Sequence, residues 1–322
     1  MAKETHGKHG RSEADPWALT PDDREQPAGR VVPLVLEGYL VTFKGHERGV
    51  RLDEDPEELH DFRVTLRRTR SLLAAAKDVL PAEELALLRA LAAWMAGVTS
   101  PVRDLDVLLA DLPEFSDRIS DELADGLDPL RTALEEERDA SFVELVEALD
   151  GDRYPVLLRR WQVMGTVYRV GGGEPGPDAG RPAGEVVDQL ILRSYRRTRR
   201  RGKAAMATDD RAQWHELRKA LKRFRYLVAA FGPMYEPGTF SKVQKRLSAL
   251  QDTLGRLQDH HVQASLVEAV GVDAGGRAAL AAGVVADAMH RDAEVAHARC
   301  RDAWSDFDRP KLRHHLTDLL AK

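Results

Sequence analysis

Two stretches of the chain combine a histidine with a run of cations at helical spacing. The first basic stripe comprises His60, Arg63, Arg67, Arg68 and Arg70. The second basic stripe lies 155 residues further on and comprises His215, Arg218, Lys219, Lys222, Arg223 and Arg225. Guanidinium groups bind phosphate oxygens through two parallel hydrogen bonds, and lysine adds a compact positive charge. The pattern therefore indicates two surfaces for a phosphate-rich anion.

The cations recur at intervals of three and four residues, so they share one side of a helix. An apolar side lies next to them in both copies, formed by Leu59, Phe62, Leu66 and Leu73 and by Leu217, Leu221, Phe224 and Val228. Like charges at this spacing destabilise a helix by about 0.2–0.5 kcal/mol per pair unless an anion compensates them. A chain that does this twice is expected to bind a polyanion, and a histidine on such a surface can donate to the same anion.

Other charged groups are secondary candidates. The segment 193–203 carries seven Lys or Arg residues, of which Arg193, Arg197 and Arg200 are added to the predicted site. This segment has no equally dense counterpart in the first copy. Asp104 and Asp259 fall near helix starts, where we expect them to cap a helix or to pair with a stripe arginine rather than to act in catalysis.

An enzymatic role is the weaker interpretation. A phosphate-ester metallohydrolase could use the histidines as metal ligands, but the pair His260-His261 follows Asp259 in the wrong order for the expected His-Asp ligand set. No Gly-x-x-x-x-Gly-Lys-[Ser/Thr] segment supports nucleotide hydrolysis. The sequence therefore predicts a non-catalytic binding protein with no cofactor and no metal, and the metallohydrolase remains an alternative.

Nucleic acid is the alternative ligand within the polyanion class. Few aromatic residues interleave with the stripes to stack on bases, and the isoelectric point of about 6.1 disfavours wrapping a duplex. The net charge of −5 is unevenly spread, because 17 acidic residues face only 3 basic ones between Asp104 and Asp152. The local field, and not the net charge, is expected to select the partner.

Composition indicates the compartment and the class of fold. Cys300 is the single cysteine, so no internal disulfide forms. We identify neither a signal-peptide pattern nor an apolar run of about 18 residues, and therefore expect a cytoplasmic protein with no membrane partner. The sequence does not determine the oligomeric state. Ala, Leu, Arg and Glu dominate and no alternating strand pattern occurs, so the predicted fold is all-α.

The predicted organisation has four parts. Residues 1–30 are polar and expected to be disordered, residues 31–170 form the first helical half, and residues 185–322 form the second. The Gly- and Pro-rich stretch 171–184 is the predicted linker. In the first half the acidic turn before Pro56 predicts a helix start with Asp55 as its N-cap. In the second half we predict separate helices over Thr239–Gln251 and Leu257–Val270.

These residues resemble the CHAD domain, the conserved histidine α-helical domain. Its marks are a helix opening with His-x-x-Arg and further cations, present twice, and a later Leu-Gly-x-x-x-Asp segment. Leu254–Asp259 fits that segment, whereas Thr99–Asp104 keeps only the arginine–aspartate pair. The first copy also departs at Val64, which stands where the second copy has Lys219.

The resemblance covers the chain from about Val31 onward. It implies two four-helix-type bundles related by an internal pseudo-twofold axis. It also implies binding of inorganic polyphosphate by both basic stripes along a shared basic groove. Association with polyphosphate granules in the cytoplasm is a further expectation.

Overall fold

The computed structural model describes residues 16–116, 118–170 and 174–320, and within them it contains eleven α-helices and no strand. The predicted all-α class is therefore confirmed. The first half comprises α1 (Ala28–Leu52), α2 (Pro56–Ala75), α3 (Ala82–Val98), α4 (Ser100–Ser116), α5 (Leu127–Asp150) and α6 (Arg153–Thr166). The second half comprises α7 (Ala183–Thr208), α8 (Arg211–Phe231), α9 (Ser241–Ala274), α10 (Gly276–Phe307) and α11 (Pro310–Leu320).

The two stripe helices, α2 and α8, begin in the same way. Asp55 accepts a hydrogen bond from the Glu57 amide, and Asp210 accepts one from the Ala212 amide. Each aspartate satisfies one of the amides that a helix start leaves without an internal partner. The predicted start of α2 is thereby confirmed, and the two stripe helices begin at equivalent turns.

The long helix α9 corrects the predicted pair Thr239–Gln251 and Leu257–Val270. The first half breaks between α3 and α4 around Thr99, whereas α9 continues through the equivalent position. Pro101 in the first half matches Arg256 in the second, so α9 keeps an amide that the first half lacks. The prediction of two helices was wrong because Gly255 alone does not end a helix.

The two halves meet through reciprocal contacts at their first helices. The Ala28 amide donates to the Arg181 carbonyl (2.9 Å), and the Ala183 amide donates to the Gln26 carbonyl (2.7 Å). Ala28 and Ala183 are equivalent at the repeat spacing of 155, as are Gln26 and Arg181. Such an exchange is the pattern that a twofold relation between the halves would produce.

Both hydrophobic cores draw on both halves. The main core joins helices of the first half, chiefly α1, α2, α3, α5 and α6, to α7, α8, α9, α10 and α11. A smaller core joins α4 and α5 to the C-terminal part of α9 and the N-terminal part of α10. The stripe helices α2 and α8 also contact each other directly. Packing of this kind fixes the position of one stripe relative to the other.

The N-terminal boundary also needs correction. Residues 16–30 were predicted to be disordered, but they contain a short 3-10 helix at Pro21–Glu25 and the start of α1. Arg24 holds them to the second half through Asp188 (2.8 Å). This ion pair joins residues 164 positions apart, which sequence composition does not reveal. Residues 1–15 lie outside the described part.

The described part of the predicted linker, residues 174–184, runs against the first half and into α7. The Gly176 amide donates to the Val79 carbonyl (3.2 Å), and the Asp178 amide donates to the Asp78 carbonyl (2.8 Å). These bonds give the segment a defined path between the halves. Residues 171–173 lie outside the described part.

Within the stretch Ala82–Phe115, a window of 18 residues is long and apolar enough by composition to cross a bilayer, with a mean hydropathy of 1.4. The prediction that the chain has no apolar run of that length is wrong for this stretch. Leu85, Leu88, Ala92 and Met95 from it lie in the main core. Length and composition alone do not separate such a core helix from a membrane span.

Candidate anion-binding groove

The two stripes meet at a cavity of about 610 Å³ between α2, α3 and α8. Its cations come from both halves of the chain: Arg67, Arg70, Arg89, Lys219, Lys222 and Arg223. None of its lining residues carries a carboxylate. The remaining lining is mostly small, with Ser71, Ala74, Ala86, Ala90 and Ala93 beside Tyr226.

A second cavity of about 320 Å³ continues from the first, because Arg67, Arg70 and Ala93 line both. It adds Arg63 and the hydroxyl-bearing residues Thr99 and Ser100 at the junction of α3 and α4. We call the two cavities together the basic groove. The groove thus follows the first basic stripe along α2 and receives the second basic stripe from α8.

Most cations of the groove have no protein counterion. Within the described residues, the side chains of Arg67, Arg70, Arg89, Lys222 and Arg223 make no ion pair or hydrogen bond with the protein, whereas Lys219 pairs with Glu216. Many arginines outside the groove form ion pairs with carboxylates. Examples are the pairs Arg118–Asp292, Arg160–Glu84 and Arg199–Asp308. Unpaired cations gathered in a concave site leave their charge available to a bound anion.

Burial and mutual repulsion perturb these cations. Burial, followed by the charges of Arg218 and Arg67, lowers the pKa of Lys222 to about 8. Burial also lowers the pKa of Arg63 to about 10, and it lowers the pKa values of Arg70 and Arg223. Since burial and repulsion make the charged form of these groups less stable, a bound anion would stabilise that form.

Two stripe arginines are held by neighbouring polar groups. Arg63 donates to the Thr99 hydroxyl (2.8 Å) and to the Ser100 hydroxyl (3.1 Å). Arg218 forms an ion pair with Asp259 (2.8 Å), which confirms the predicted pairing for that aspartate. Burial raises the pKa of Asp104, and the nearby charge of Arg63 opposes the rise. These contacts orient both guanidinium groups.

The two histidines lie at the beginnings of the stripe helices and not among the residues that line the groove. His215 Nδ1 is 2.6 Å from the Gln258 side-chain oxygen. Burial lowers the pKa of His60, and the charge of Arg103 lowers it further. Among the groove cations, Arg67 is close enough to His60 to lower that pKa as well.

The remaining predicted residues divide by position. Arg68 is exposed and Arg225 lies over the Tyr226 ring (5.3 Å), and neither lines the groove. Arg193, Arg197 and Arg200 are exposed on α7. Of these three, Arg197 is close enough to Arg223 to lower the pKa of that guanidinium. The groove thus unites Arg63, Arg67, Arg70, Lys219, Lys222 and Arg223, and the other predicted cations are not among its lining residues.

Sequence reasoning missed the contribution of α3. Arg89 projects into the groove, and Ala86, Ala90, Ala93 and Gly97 line it. These four small residues recur every three or four positions, so they share one side of the helix. This spacing indicates, from the sequence alone, a helix side with little side-chain volume. Arg89 itself has no equivalent cation, because Gln244 stands at the matching position of the second half.

The metallohydrolase alternative would need several metal-ligating side chains close together. Among the described residues, no group of three or more His, Cys, Asp or Glu side chains could hold a metal ion. The pair His260-His261 lies on α9 and is not among the groove-lining residues. Nothing in this arrangement favours that alternative.

The sequence pattern of the CHAD domain matches residues 34–268, which is most of the chain. This protein belongs to the CHAD domain family. The match extends from α1 into α9 and includes both basic stripes.

Solved structures share the fold. The crystal structure of the CHAD domain from the plant Ricinus communis is 25% identical, with a TM-score of 0.69 and 96% of each chain covered. PptA from Streptomyces chartreusis has a TM-score of 0.66 at 18% identity, covering 89% of this chain and all of that one. The second likeness shows the fold alone.

Uncharacterized proteins from two Mycobacterium tuberculosis strains, CDC 1551 / Oshkosh and H37Rv, are each 27% identical over 305 residues. The alignments cover 88% of this chain and 52% of each relative. The chain therefore spans about half the length of the curated relatives it matches.

Proposed function

We propose that this protein binds inorganic polyphosphate in the basic groove and does so without catalysis. The observation that carries the proposal is the set of unpaired cations from both halves that line one carboxylate-free groove. Polyphosphate is a flexible chain of phosphates, so it presents oxygens to guanidinium groups along its whole length. Binding would offset the burial and the repulsion that lower the pKa of Lys222.

The small residues of α3 favour a thin chain over a nucleic acid. Ala86, Ala90 and Ala93 leave room beside the cations but offer no ring for stacking. Tyr226 is the one aromatic residue that lines the groove, and it is only 5% exposed. Proteins that bind single strands without sequence preference combine a basic groove with aromatic platforms, and this groove has only the first element.

The physiological proposals follow from the ligand. A polyphosphate-binding protein of this kind would act in the cytoplasm and associate with polyphosphate granules. Nucleic acid and membrane are not among its proposed partners.

The test is direct binding of purified protein to long-chain polyphosphate, with duplex and single-stranded DNA as competitors. Binding should fall steeply with salt, because phosphate contacts release counterions. The variant Arg67→Ala/Lys222→Ala/Arg223→Ala should lose at least about a hundredfold in affinity, at roughly 1 kcal/mol or more for each charge-assisted contact. It should also show a flatter salt dependence.

A matched control removes three cations that lie outside the groove and make no ion pair with another described residue: Arg131→Ala/Arg159→Ala/Arg299→Ala. This control should keep its affinity within about threefold, since only the diffuse field changes. Equal losses from both triple variants would place the site elsewhere. Effective competition by DNA at equal phosphate concentration would favour the nucleic-acid alternative.

A further inference from the structure

A separate cavity of about 800 Å³ lies between the first turns of α9 and α11 and the end of α10. It shares no lining residue with the basic groove. Its cations are Lys242, Lys245, Arg246, Arg309 and Lys311, and His315 also lines it. Its part on α10 and α11 lies beyond residues 34–268, where the family pattern matches.

Comparison of the two halves shows how this cavity arises. Ala249 lines the cavity and is equivalent to Trp94 at the repeat spacing of 155. The Trp94 ring packs against the main core, and the guanidinium carbon of Arg153 lies 4.6 Å from the centre of that ring. The first half thus has an indole at this position where the second half has only a methyl group, and the smaller side chain leaves open space. Three further positions change from apolar to cationic: Leu87 to Lys242, Leu91 to Arg246 and Val156 to Lys311.

The helix termini reinforce the positive charge. The first turns of α9 and α11 both line the cavity, and neither contains an acidic residue. A helix N-terminus carries positive partial charge, so lysines there are unfavourable unless an anion lies nearby. Lys242 and Lys245 occupy the beginning of α9, and Lys311 occupies that of α11.

The single carboxylate of the cavity does not neutralise these lysines. Asp306 pairs with Arg309, and its backbone carbonyl accepts a hydrogen bond from Arg246 (2.9 Å). Within the described part of the chain, Lys242, Lys245 and Lys311 form no ion pair or hydrogen bond through their side chains. Three exposed ammonium groups therefore surround an open cavity with no anion from the protein.

We propose that this cavity is a second anion site, which binds the clustered phosphates of a small molecule independently of the basic groove. Its volume is typical of small-ligand sites, and its cations suit a di- or triphosphate group. No aromatic side chain lines it, so recognition acts on the phosphates. The phosphates could belong to an inorganic oligophosphate or to a nucleotide, and the test distinguishes these sources.

The experiment is lysine-specific chemical labelling of the full chain, read by mass spectrometry, with inorganic tripolyphosphate as the probe. Saturating tripolyphosphate should protect Lys242, Lys245 and Lys311 at least about fivefold, because a bound phosphate cluster covers their ammonium groups. Exposed Lys44, which lies outside both sites, is the control and should remain labelled. The titration is then repeated with ATP, and the half-saturating concentrations of ATP and tripolyphosphate are compared. The ligand with the lower value indicates whether the phosphates come from a nucleotide or from an inorganic oligophosphate.

Two variants test the site by calorimetry in a background whose groove is inactivated by Arg67→Ala/Lys222→Ala/Arg223→Ala. Lys245→Ala/Lys311→Ala should weaken tripolyphosphate binding by at least about tenfold, at 1.4 kcal/mol per tenfold step. Ala249→Trp recreates the filled state of the first half and should do the same without changing charge. Lys44→Ala is the matched control and should leave binding unchanged.

The outcomes for the cavity and for the groove are separable. Unprotected Lys242, Lys245 and Lys311 at saturation, or protection of Lys44 to the same extent, would overturn the cavity proposal. Residual binding that both cavity variants leave intact would overturn it too. Protection of these lysines with no effect at Lys222 would support the cavity and count against the groove.

Discussion

Lys222 shows how the fold prepares a cation for an anionic partner. Its ammonium group is buried between the charges of Arg67 and Arg218, and its pKa falls to about 8. The charged form is therefore less stable in the free protein than in water. A phosphate beside Lys222 would favour the charged form and raise the pKa again.

This coupling predicts a pH-dependent affinity. Below about pH 8 Lys222 is already protonated, so this group leaves polyphosphate affinity unchanged. Above that pH, binding must take up a proton, and affinity should fall by up to tenfold per pH unit until the pKa of the complex is reached. Calorimetry in buffers of different ionisation enthalpy would detect this proton uptake near pH 8.5.

The matched variant is Lys222→Arg, which keeps the positive charge but does not titrate in this range. Its affinity should remain flat between about pH 7 and 9, with no proton uptake on binding. An identical decline in the wild type and in Lys222→Arg would assign the pH dependence to another group.

The histidines predict a second pH effect, at lower pH. Burial and Arg103 lower the pKa of His60 in the free protein, and a bound anion would raise it. Because the protonated ring is favoured in the complex, affinity should increase as pH falls from about 7 to 6. The variant His60→Ala/His215→Ala should lose this increase while its helical circular dichroism remains unchanged. Unfolding of the double variant would show instead that the rings are structural.

At the scale of elements, α3 is the helix whose side chains keep the groove open. Ala93 lines both cavities of the groove, and it is exposed. A phenylalanine at this position would occupy space beside Arg67 and Arg70 without changing any charge.

The variant Ala93→Phe is therefore predicted to weaken polyphosphate binding by about tenfold, since the chain could no longer approach both stripes closely. The matched control is Ala110→Phe on α4, at an exposed alanine outside the groove. Thermal unfolding of both variants should differ little from the wild type, because surface substitutions generally cost less than about 0.5 kcal/mol. Unchanged binding by Ala93→Phe would mean that the ligand passes elsewhere.

The elements also show what the sequence could and could not predict. The stripe helices and the N-cap Asp55 were predictable, because local spacing and capping chemistry determine them. The continuity of α9 through Gly255 and the ordering of Arg24 against Asp188 depend on tertiary packing, which no local pattern encodes. For the same reason the sequence did not predict that Arg89 lines the groove, because this depends on the packing of α3 beside α2 and α8.

At the scale of the whole molecule, the shared cores fix the distance between the stripes. The main core runs through both halves, and the backbone exchange between Ala28 and Ala183 joins them at the first helices. Two stripes on independently moving domains would meet a ligand one at a time. Two stripes on one packed body can hold a single long chain together, with an effective concentration set by their fixed separation.

This geometry predicts that the stripes cooperate. Arg67→Ala/Arg70→Ala and Lys222→Ala/Arg223→Ala each weaken one stripe and should each reduce the affinity for long polyphosphate by at least about a hundredfold, because the second contact is no longer intramolecular. Independent sites would behave differently, since removing one of two equal sites lowers the apparent affinity only about twofold. The measurement is a titration of both variants and of their combination against chains of increasing length. In the wild type, affinity should rise with the length of the polyphosphate chain and level off once one chain reaches both stripes. Each single-stripe variant should lose that rise. A length dependence that survives in either variant would mean that the two halves bind separately and that the groove between them is not one site.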